Sequence, residues 1–152
     1  RSNLPALRSG FVAGDASALK IYLLYRTYHG CAMSETIQQA SIAAWRDEAH
    51  VKQNREYYRR KFAAVIDRLS PALPARQPDA ASFLWLQTPV DDQQFAKALY
   101  ARQNVTVLPG SYLSREAGTG NPGKNHVRVA LVAEENQCIE AAQRIRQFLN
   151  SL

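Results

Sequence analysis

The order of elements predicted after residue 82 constrains the fold of this chain more than any other feature. Branched and aromatic residues predict a strand over 82–87, and an apolar helical pattern follows over 91–103. Two further strands are predicted over 105–108 and 126–132. The last predicted helix buries an apolar face, which consists of Cys138, Ala141, Ala142, Ile145, Phe148 and Leu149. The order strand, helix, strand, strand, helix predicts an α/β fold built as a two-layer α/β sandwich.

The beginning of the chain predicts one strand followed by helices. The short apolar run over 11–14 is bounded by glycines, which predicts a buried strand that leaves a loop. Asp15 is then a suitable N-cap for a helix over 16–29. Ser34 is the next candidate N-cap.

A helical pattern continues from Ser34 to about Leu69, where it meets a proline-rich connection over 71–78. A single helix of about 35 residues is long for a globular domain, so we expect a bend or break near His50. We therefore divide the chain into residues 1–49 and residues 50–152.

The chain is basic, with 19 Lys and Arg against 13 Asp and Glu among 152 residues and a net charge of +6. The densest basic run is 46–61, in which six bases stand against three acids. Apolar residues recur there at helical spacing, which places the bases largely on the solvent-facing side of a helix. A basic α/β module that binds nucleic acid through this run remains an alternative, although no aromatic series interleaves the bases.

Cys31 and Cys138 lie far apart and form no Cys-x-x-Cys motif. They predict two buried, reduced thiols in a cytoplasmic protein, without a disulfide or a metal site. We predict no membrane contact, since no apolar run reaches about 18 residues. The first residues show neither an initiator Met nor a leader pattern, so they do not resemble a natural start.

Two arginines are candidate anion-binding residues. Arg128 falls in the middle of an otherwise apolar strand, where its guanidinium must point to water, pair with a carboxylate or meet a ligand. By alternation it shares a face with His126 and Ala130, and an outward-facing structural residue is an equally good interpretation. Arg8, two residues before Gly10, can also be an ordinary loop residue.

The run Arg1–Phe11 resembles the stretch that directly follows the Schiff-base lysine in the class I and II pyridoxal-phosphate aminotransferases of fold type I. In that family seven residues separate the lysine from an arginine, a small residue and a glycine, which Arg8-Ser9-Gly10 match. The helix over 34–44 and the late strand over 125–130 also resemble the family. The resemblance extends through all 152 residues in order.

The resemblance implies that the chain is the C-terminal part of such an enzyme. Residues 1–49 would be the C-terminal end of the large pyridoxal-phosphate-binding domain, with its strand and the connecting helix. Residues 50–152 would be the small C-terminal α/β domain. The resemblance assigns Arg8 to the phosphate of the cofactor, pyridoxal 5'-phosphate, and Arg128 to the α-carboxylate of the substrate. The lysine would fall immediately before residue 1, so we assign no catalytic residue and expect this piece alone to be inactive.

Within the family, residues 108–117 and 120–123 look most like the bacterial N-succinyldiaminopimelate aminotransferases of lysine biosynthesis. This resemblance implies amino-group transfer between N-succinyl-LL-2,6-diaminopimelate and 2-oxoglutarate by a homodimer, without a nucleic-acid or membrane partner. A non-catalytic regulator with an aminotransferase-like domain is a further alternative. Because the strand over 11–14 and the first two helices would have bare apolar faces, we expect chains to associate.

Overall fold

The computed structural model describes residues 3–30, 32–70 and 72–152, which divide into two compact units with the boundary between Arg55 and Glu56. The helices are α1 (Ala16–His29), α2 (Glu35–Arg46), α3 (Ala49–Leu69), α4 (Asp92–Gln103) and α5 (Glu135–Leu149). The strands are β1 (Phe83–Gln87), β2 (Leu108–Pro109) and β3 (His126–Ala130).

The predicted helix starts are confirmed by their hydrogen bonds. The Asp15 carboxylate accepts from the backbone N–H of Ser17 at 2.9 Å and that of Ala18 at 3.1 Å. The Ser34 hydroxyl accepts from the backbone N–H of Ile37 at 3.3 Å. Both side chains satisfy backbone donors that have no partner within the first turn of a helix.

The expected break in the long helical pattern lies slightly before His50, between the end of α2 and the start of α3. Asp47 caps the new helix by accepting from the backbone N–H of Ala49 at 2.8 Å. The same carboxylate pairs with Nδ1 of His50 at 2.8 Å, and this hydrogen bond is the main reason that the pKa of Asp47 is lowered. A local side-chain cap therefore starts α3 directly after α2 ends.

The strand predicted over 11–14 does not form, and Phe11 is 76% exposed. A strand needs a neighbouring strand to satisfy its backbone N–H and C=O groups. No described residue pairs with this run. The ring of Phe11 instead contacts the ring of Trp45 edge-on, with centroids 5.3 Å apart.

Helix α1 has no buried residue among those that the structure describes, although its sequence is rich in large apolar side chains. Ile21, Leu23 and Leu24 are all more than half exposed. Tyr25 and Tyr28 are also exposed. Exposed apolar area of this kind costs free energy in water, and contact with another surface would recover it.

We expect the 152-residue chain to self-associate when it is prepared alone. Light scattering should give a mass that rises with concentration, and a dye for apolar surface should bind strongly. The double substitution Ile21→Glu and Leu24→Glu should reduce both signals, because it places charge on the exposed surface of α1. Val132→Glu is the matched control, since Val132 is 71% exposed outside α1 and its substitution should change little. A compact monomer with little dye binding would contradict this expectation.

The strands form one antiparallel sheet with the order β1-β3-β2. One face of the sheet joins α3, α4 and α5 in a single core, so the predicted two-layer α/β sandwich is confirmed. The most deeply buried members of this core are Val65, Leu69, Leu84, Phe95, Leu99, Val127, Ala142 and Phe148. Among the described residues no helix combines the length and the apolar character needed to cross a membrane.

The strand predicted over 105–108 is wrong in its extent, because only Leu108 and Pro109 pair with β3. Val105 and Val107 are buried alternately, as a strand would bury them, and they contribute to the core. Their apolar side chains produced the strand pattern, but their backbones do not join the ladder. The predicted strand is longer than the observed one because residues 105 and 107 are buried like strand residues but do not pair within the sheet.

Candidate functional site

The candidate site is the side of the sheet that faces away from the helices. Strands β1 and β3 bury every second residue, so the intervening side chains point outward. We call this surface the open sheet face; it consists of Phe83, Trp85, Gln87, His126, Arg128 and Ala130. Trp85 is 42% exposed and Phe83 is 37% exposed, so large aromatic side chains remain accessible on it.

Arg128 lies at the centre of the open sheet face, on the central strand. In the ladder it stands opposite Trp85 on one side and Leu108 on the other. Its guanidinium carbon lies 5.7 Å from the centre of the Phe83 ring. The predicted face, shared with His126 and Ala130, is confirmed. Within the described part of the chain Arg128 has no ion pair, so its planar fork is available to an anion.

His126 forms a stacked pair with Trp85 beside Arg128. The two ring centroids lie 5.6 Å apart with an angle of 11° between the planes. Nδ1 of His126 lies 2.8 Å from the carbonyl oxygen of Lys124. Because a carbonyl only accepts hydrogen bonds, this nitrogen carries the proton. The sequence predicts no role for His126, and its stacking on Trp85 depends on the register between β1 and β3, which local sequence patterns do not determine.

Asp92, the first residue of α4, binds the loop that connects β2 to β3. It is 0% exposed. One carboxylate oxygen accepts from the backbone N–H of Ser111 at 2.9 Å and from its hydroxyl at 2.6 Å. The other oxygen accepts from the backbone N–H of Asn125 at 3.1 Å. One buried carboxylate thus holds both ends of the loop.

The Asp92 carboxyl stays ionised in spite of its burial. Loss of water by itself would raise its pKa, because a charged group is disfavoured in a medium of low polarity. The hydrogen bonds from the Ser111 hydroxyl and from the backbone N–H groups of Ser111 and Asn125 outweigh that effect and lower the pKa. The position at the N-terminus of α4 favours the same negative charge.

The loop between β2 and β3 is folded on itself. The Ser114 hydroxyl donates to the carbonyl of Gly110 at 3.0 Å and accepts from the backbone N–H of Gly123 at 3.1 Å. A Cβ atom on Gly110 or Gly123 would collide with the carbonyl of the other, so the two backbones approach closely only because both residues are glycine. Tyr112 is 66% exposed, and its hydroxyl donates to Gln93 at 3.2 Å.

Arg8 lies in the other compact unit, after a short 3-10 turn formed by Pro5–Leu7. Its side chain is exposed, and Nη1 donates to the carbonyl of Pro5 at 3.2 Å. Its backbone has φ +52°, in the left-handed region that non-glycine residues seldom occupy. A guanidinium has five donors, so most of its hydrogen-bonding capacity is available to a ligand.

Lys61 corrects the expectation that the bases over 46–61 face solvent, because it is 1% exposed. Its ammonium group donates to the carbonyl of Leu131 at 2.8 Å and to that of Ala133. It also lies 4.3 Å from the Tyr57 ring centre and 5.0 Å from the Tyr58 ring centre. Carbonyl oxygens and aromatic faces replace the water around this cation, so we interpret Lys61 as a structural residue.

Cys138 is buried, as predicted, and burial raises the pKa of its thiol, which opposes the reactive thiolate form. Cys31 lies outside the described residues. Among the described residues no group of three or more His, Cys, Asp or Glu side chains could hold a metal ion.

Comparisons with known proteins relate this arrangement to one family. Residues 1–145 match the family described as aminotransferase class I and II. A crystal structure of an aminotransferase from Neisseria meningitidis Z2491 is 51% identical with a TM-score of 0.85, and the match covers 98% of this chain and 38% of that one. A probable aminotransferase of Mycobacterium tuberculosis is 32% identical over 95% of this chain and 33% of its own length.

The structure of a probable N-succinyldiaminopimelate aminotransferase from Thermus thermophilus is also similar. It is 28% identical with a TM-score of 0.67, and the match covers 88% of this chain and 35% of that chain. This chain therefore spans only 33% to 38% of the length of each of these proteins.

Proposed function

The chain belongs to the class I and II aminotransferases, and from this membership we propose that it is the C-terminal part of an enzyme that transfers an amino group from an amino-acid donor to 2-oxoglutarate. Members of the family use pyridoxal 5'-phosphate. The observation that carries the proposal is Arg128, an arginine with no anionic partner among the described residues, at the centre of the open sheet face.

The residues of this chain fit one end of the cofactor. We propose that Arg8 binds the phosphate, because its exposed guanidinium can donate two hydrogen bonds to a dianion. The left-handed backbone of Arg8 supports this role, since backbone strain is concentrated at functional sites. When bound, the cofactor supplies the electron sink for amino-group transfer. The lysine that holds it covalently is proposed to lie in the rest of the enzyme.

Arg128 is proposed to bind the α-carboxylate of the amino-acid and 2-oxo-acid substrates. Two parallel hydrogen bonds between guanidinium and carboxylate fix both the position and the orientation of the carboxylate. The Cα–H bond of the substrate is thereby oriented for removal of its proton. Phe83 and Trp85 flank Arg128, so a substrate bound across their rings would exclude water from this charge pair. A charge pair that is shielded from water is stronger than one in bulk solvent.

For the amino donor we propose N-succinyl-LL-2,6-diaminopimelate. The support is the resemblance of residues 108–117 and 120–123 to enzymes with this substrate, together with the similarity to the Thermus thermophilus protein. We further propose that the enzyme is a cytoplasmic homodimer. The exposed apolar residues of α1 support the association, because they require a partner surface in the whole enzyme.

The proposal can be tested by absorbance spectroscopy. The full-length enzyme is loaded with cofactor and mixed with one amino donor at a time. The visible absorbance band of the bound cofactor should be lost on addition of N-succinyl-LL-2,6-diaminopimelate and return on addition of 2-oxoglutarate. Free LL-diaminopimelate and alanine are the comparison donors. A response to one of these instead would correct the substrate, and the absence of a response to any amino acid would contradict the aminotransferase.

A further inference from the structure

The buried carboxylate of Asp92 has no cationic partner in the described part of the chain. A buried charge is costly unless hydrogen bonds replace its water. Its three recorded donors from the loop are the backbone N–H and hydroxyl of Ser111 and the backbone N–H of Asn125. Besides the N-terminus of α4, the groups that stabilise this charge are therefore the loop donors whose positions it also fixes.

These donors lie at the ends of the two strands that meet at Arg128. Ser111 follows β2 by two residues, and Asn125 directly precedes β3. Leu108 of β2 is paired with Arg128 of β3. The Asp92 carboxylate thus fixes the exit of one strand and the entry of the other.

Asn125 extends this control to the third strand. Its backbone has φ +58°, and its carbonyl accepts from the backbone N–H of Thr88, directly after β1, at 2.8 Å. Arg128 follows Asn125 by three residues, or about 10 Å of extended chain. A rotation of the backbone at Asn125 would therefore displace or re-aim the Arg128 side chain.

We propose that Asp92 is a positioning residue that acts through Arg128: its buried carboxylate fixes the entry of β3, and with it the direction in which Arg128 presents its guanidinium to the substrate carboxylate. This inference rests on the proposed function of Arg128. It adds a role for a residue that is hidden from solvent and touches no substrate.

The test is a double-mutant cycle in the full-length enzyme loaded with cofactor. The variants are Asp92→Asn, which keeps the size of the side chain and removes its charge, Arg128→Ala, and the combination of both. Asp91→Asn is the matched control, because Asp91 is the adjacent N-cap and asparagine caps helices equally well. For each protein kcat and KM are measured with 2-oxoglutarate, and kcat/KM is taken from the slope at low substrate concentration.

In the parent enzyme we expect Asp92→Asn to lower kcat/KM at least tenfold, mainly by raising KM. In the Arg128→Ala background the same change should cost less than threefold, because the residue through which it acts is gone. Asp91→Asn should stay within twofold of the parent. Hydrogen exchange should show faster exchange over residues 110–126 in Asp92→Asn, in either background.

An equal loss of kcat/KM in both backgrounds would overturn the proposal, because a purely structural residue would act independently of Arg128. Unchanged exchange over 110–126 would overturn it as well. If Asp92→Asn does not fold, Ser111→Ala replaces it in the cycle, with a smaller loss that should again disappear in the Arg128→Ala background. A parent enzyme without transaminase activity would contradict the proposed function instead, and the exchange measurement would still test the effect of Asp92 on the loop.

Discussion

Replacement of Arg128 by alanine in the full-length enzyme is expected to weaken binding of amino-acid and 2-oxo-acid substrates by about 2 to 5 kcal/mol, or roughly 30- to 4,000-fold. The physical reason is that the substrate carboxylate would enter a site flanked by Phe83 and Trp85 without the cation that compensates its loss of water. Titration of the loaded enzyme with 2-oxoglutarate measures the effect. Retention of the cofactor should stay close to that of the parent enzyme.

Two further substitutions sharpen this prediction. Arg128→Lys keeps the charge but loses the planar fork, so its binding should lie between those of the parent and Arg128→Ala. Arg68→Ala removes an exposed arginine of α3 outside the open sheet face, and it should bind substrate normally. Equal binding by Arg128→Ala and the parent enzyme would exclude Arg128 as the carboxylate ligand.

Arg8→Ala is expected to produce the opposite pattern. The loss of a bidentate phosphate contact should weaken retention of pyridoxal 5'-phosphate by a similar amount, about 2 to 5 kcal/mol. Dialysis followed by titration with cofactor measures this loss. At saturating cofactor, binding of 2-oxoglutarate should return close to the value of the parent enzyme. A variant that retains cofactor but loses substrate affinity would refute the assignment of Arg8.

The local parts of the fold could be predicted because short-range interactions determine them. Asp15 and Ser34 cap the helices that follow them, and these caps depend only on residues two or three positions away. The outward direction of Arg128 follows from the alternation of a strand, so its face was also predictable. The two arginines became candidates through their spacing and their resemblance to a family.

The remaining features depend on contacts between distant parts of the chain. Asp92 appears in the sequence as one of two adjacent helix-start acids, and its donors come from residues 19 and 33 positions later. The strand predicted over 11–14 is wrong, because an apolar run forms a strand only where another strand pairs with it. The burial of Lys61, in contrast, is visible in the local pattern, because Lys61 follows Tyr58 by three residues and precedes Val65 by four. The helical spacing therefore placed it on the buried side, and its charge concealed that signal.

We propose that Arg8 and Arg128 bind two different anionic groups, the phosphate of the cofactor and the carboxylate of the substrate. The most direct measurement is a crystal structure of the full-length enzyme with pyridoxal 5'-phosphate and an unreactive dicarboxylate analogue of the substrate. We predict the Arg8 guanidinium about 2.8 Å from phosphate oxygens and the Arg128 guanidinium at a similar distance from an analogue carboxylate. A structure in which either guanidinium points away from the bound groups would exclude that arginine as a ligand of the cofactor or the substrate.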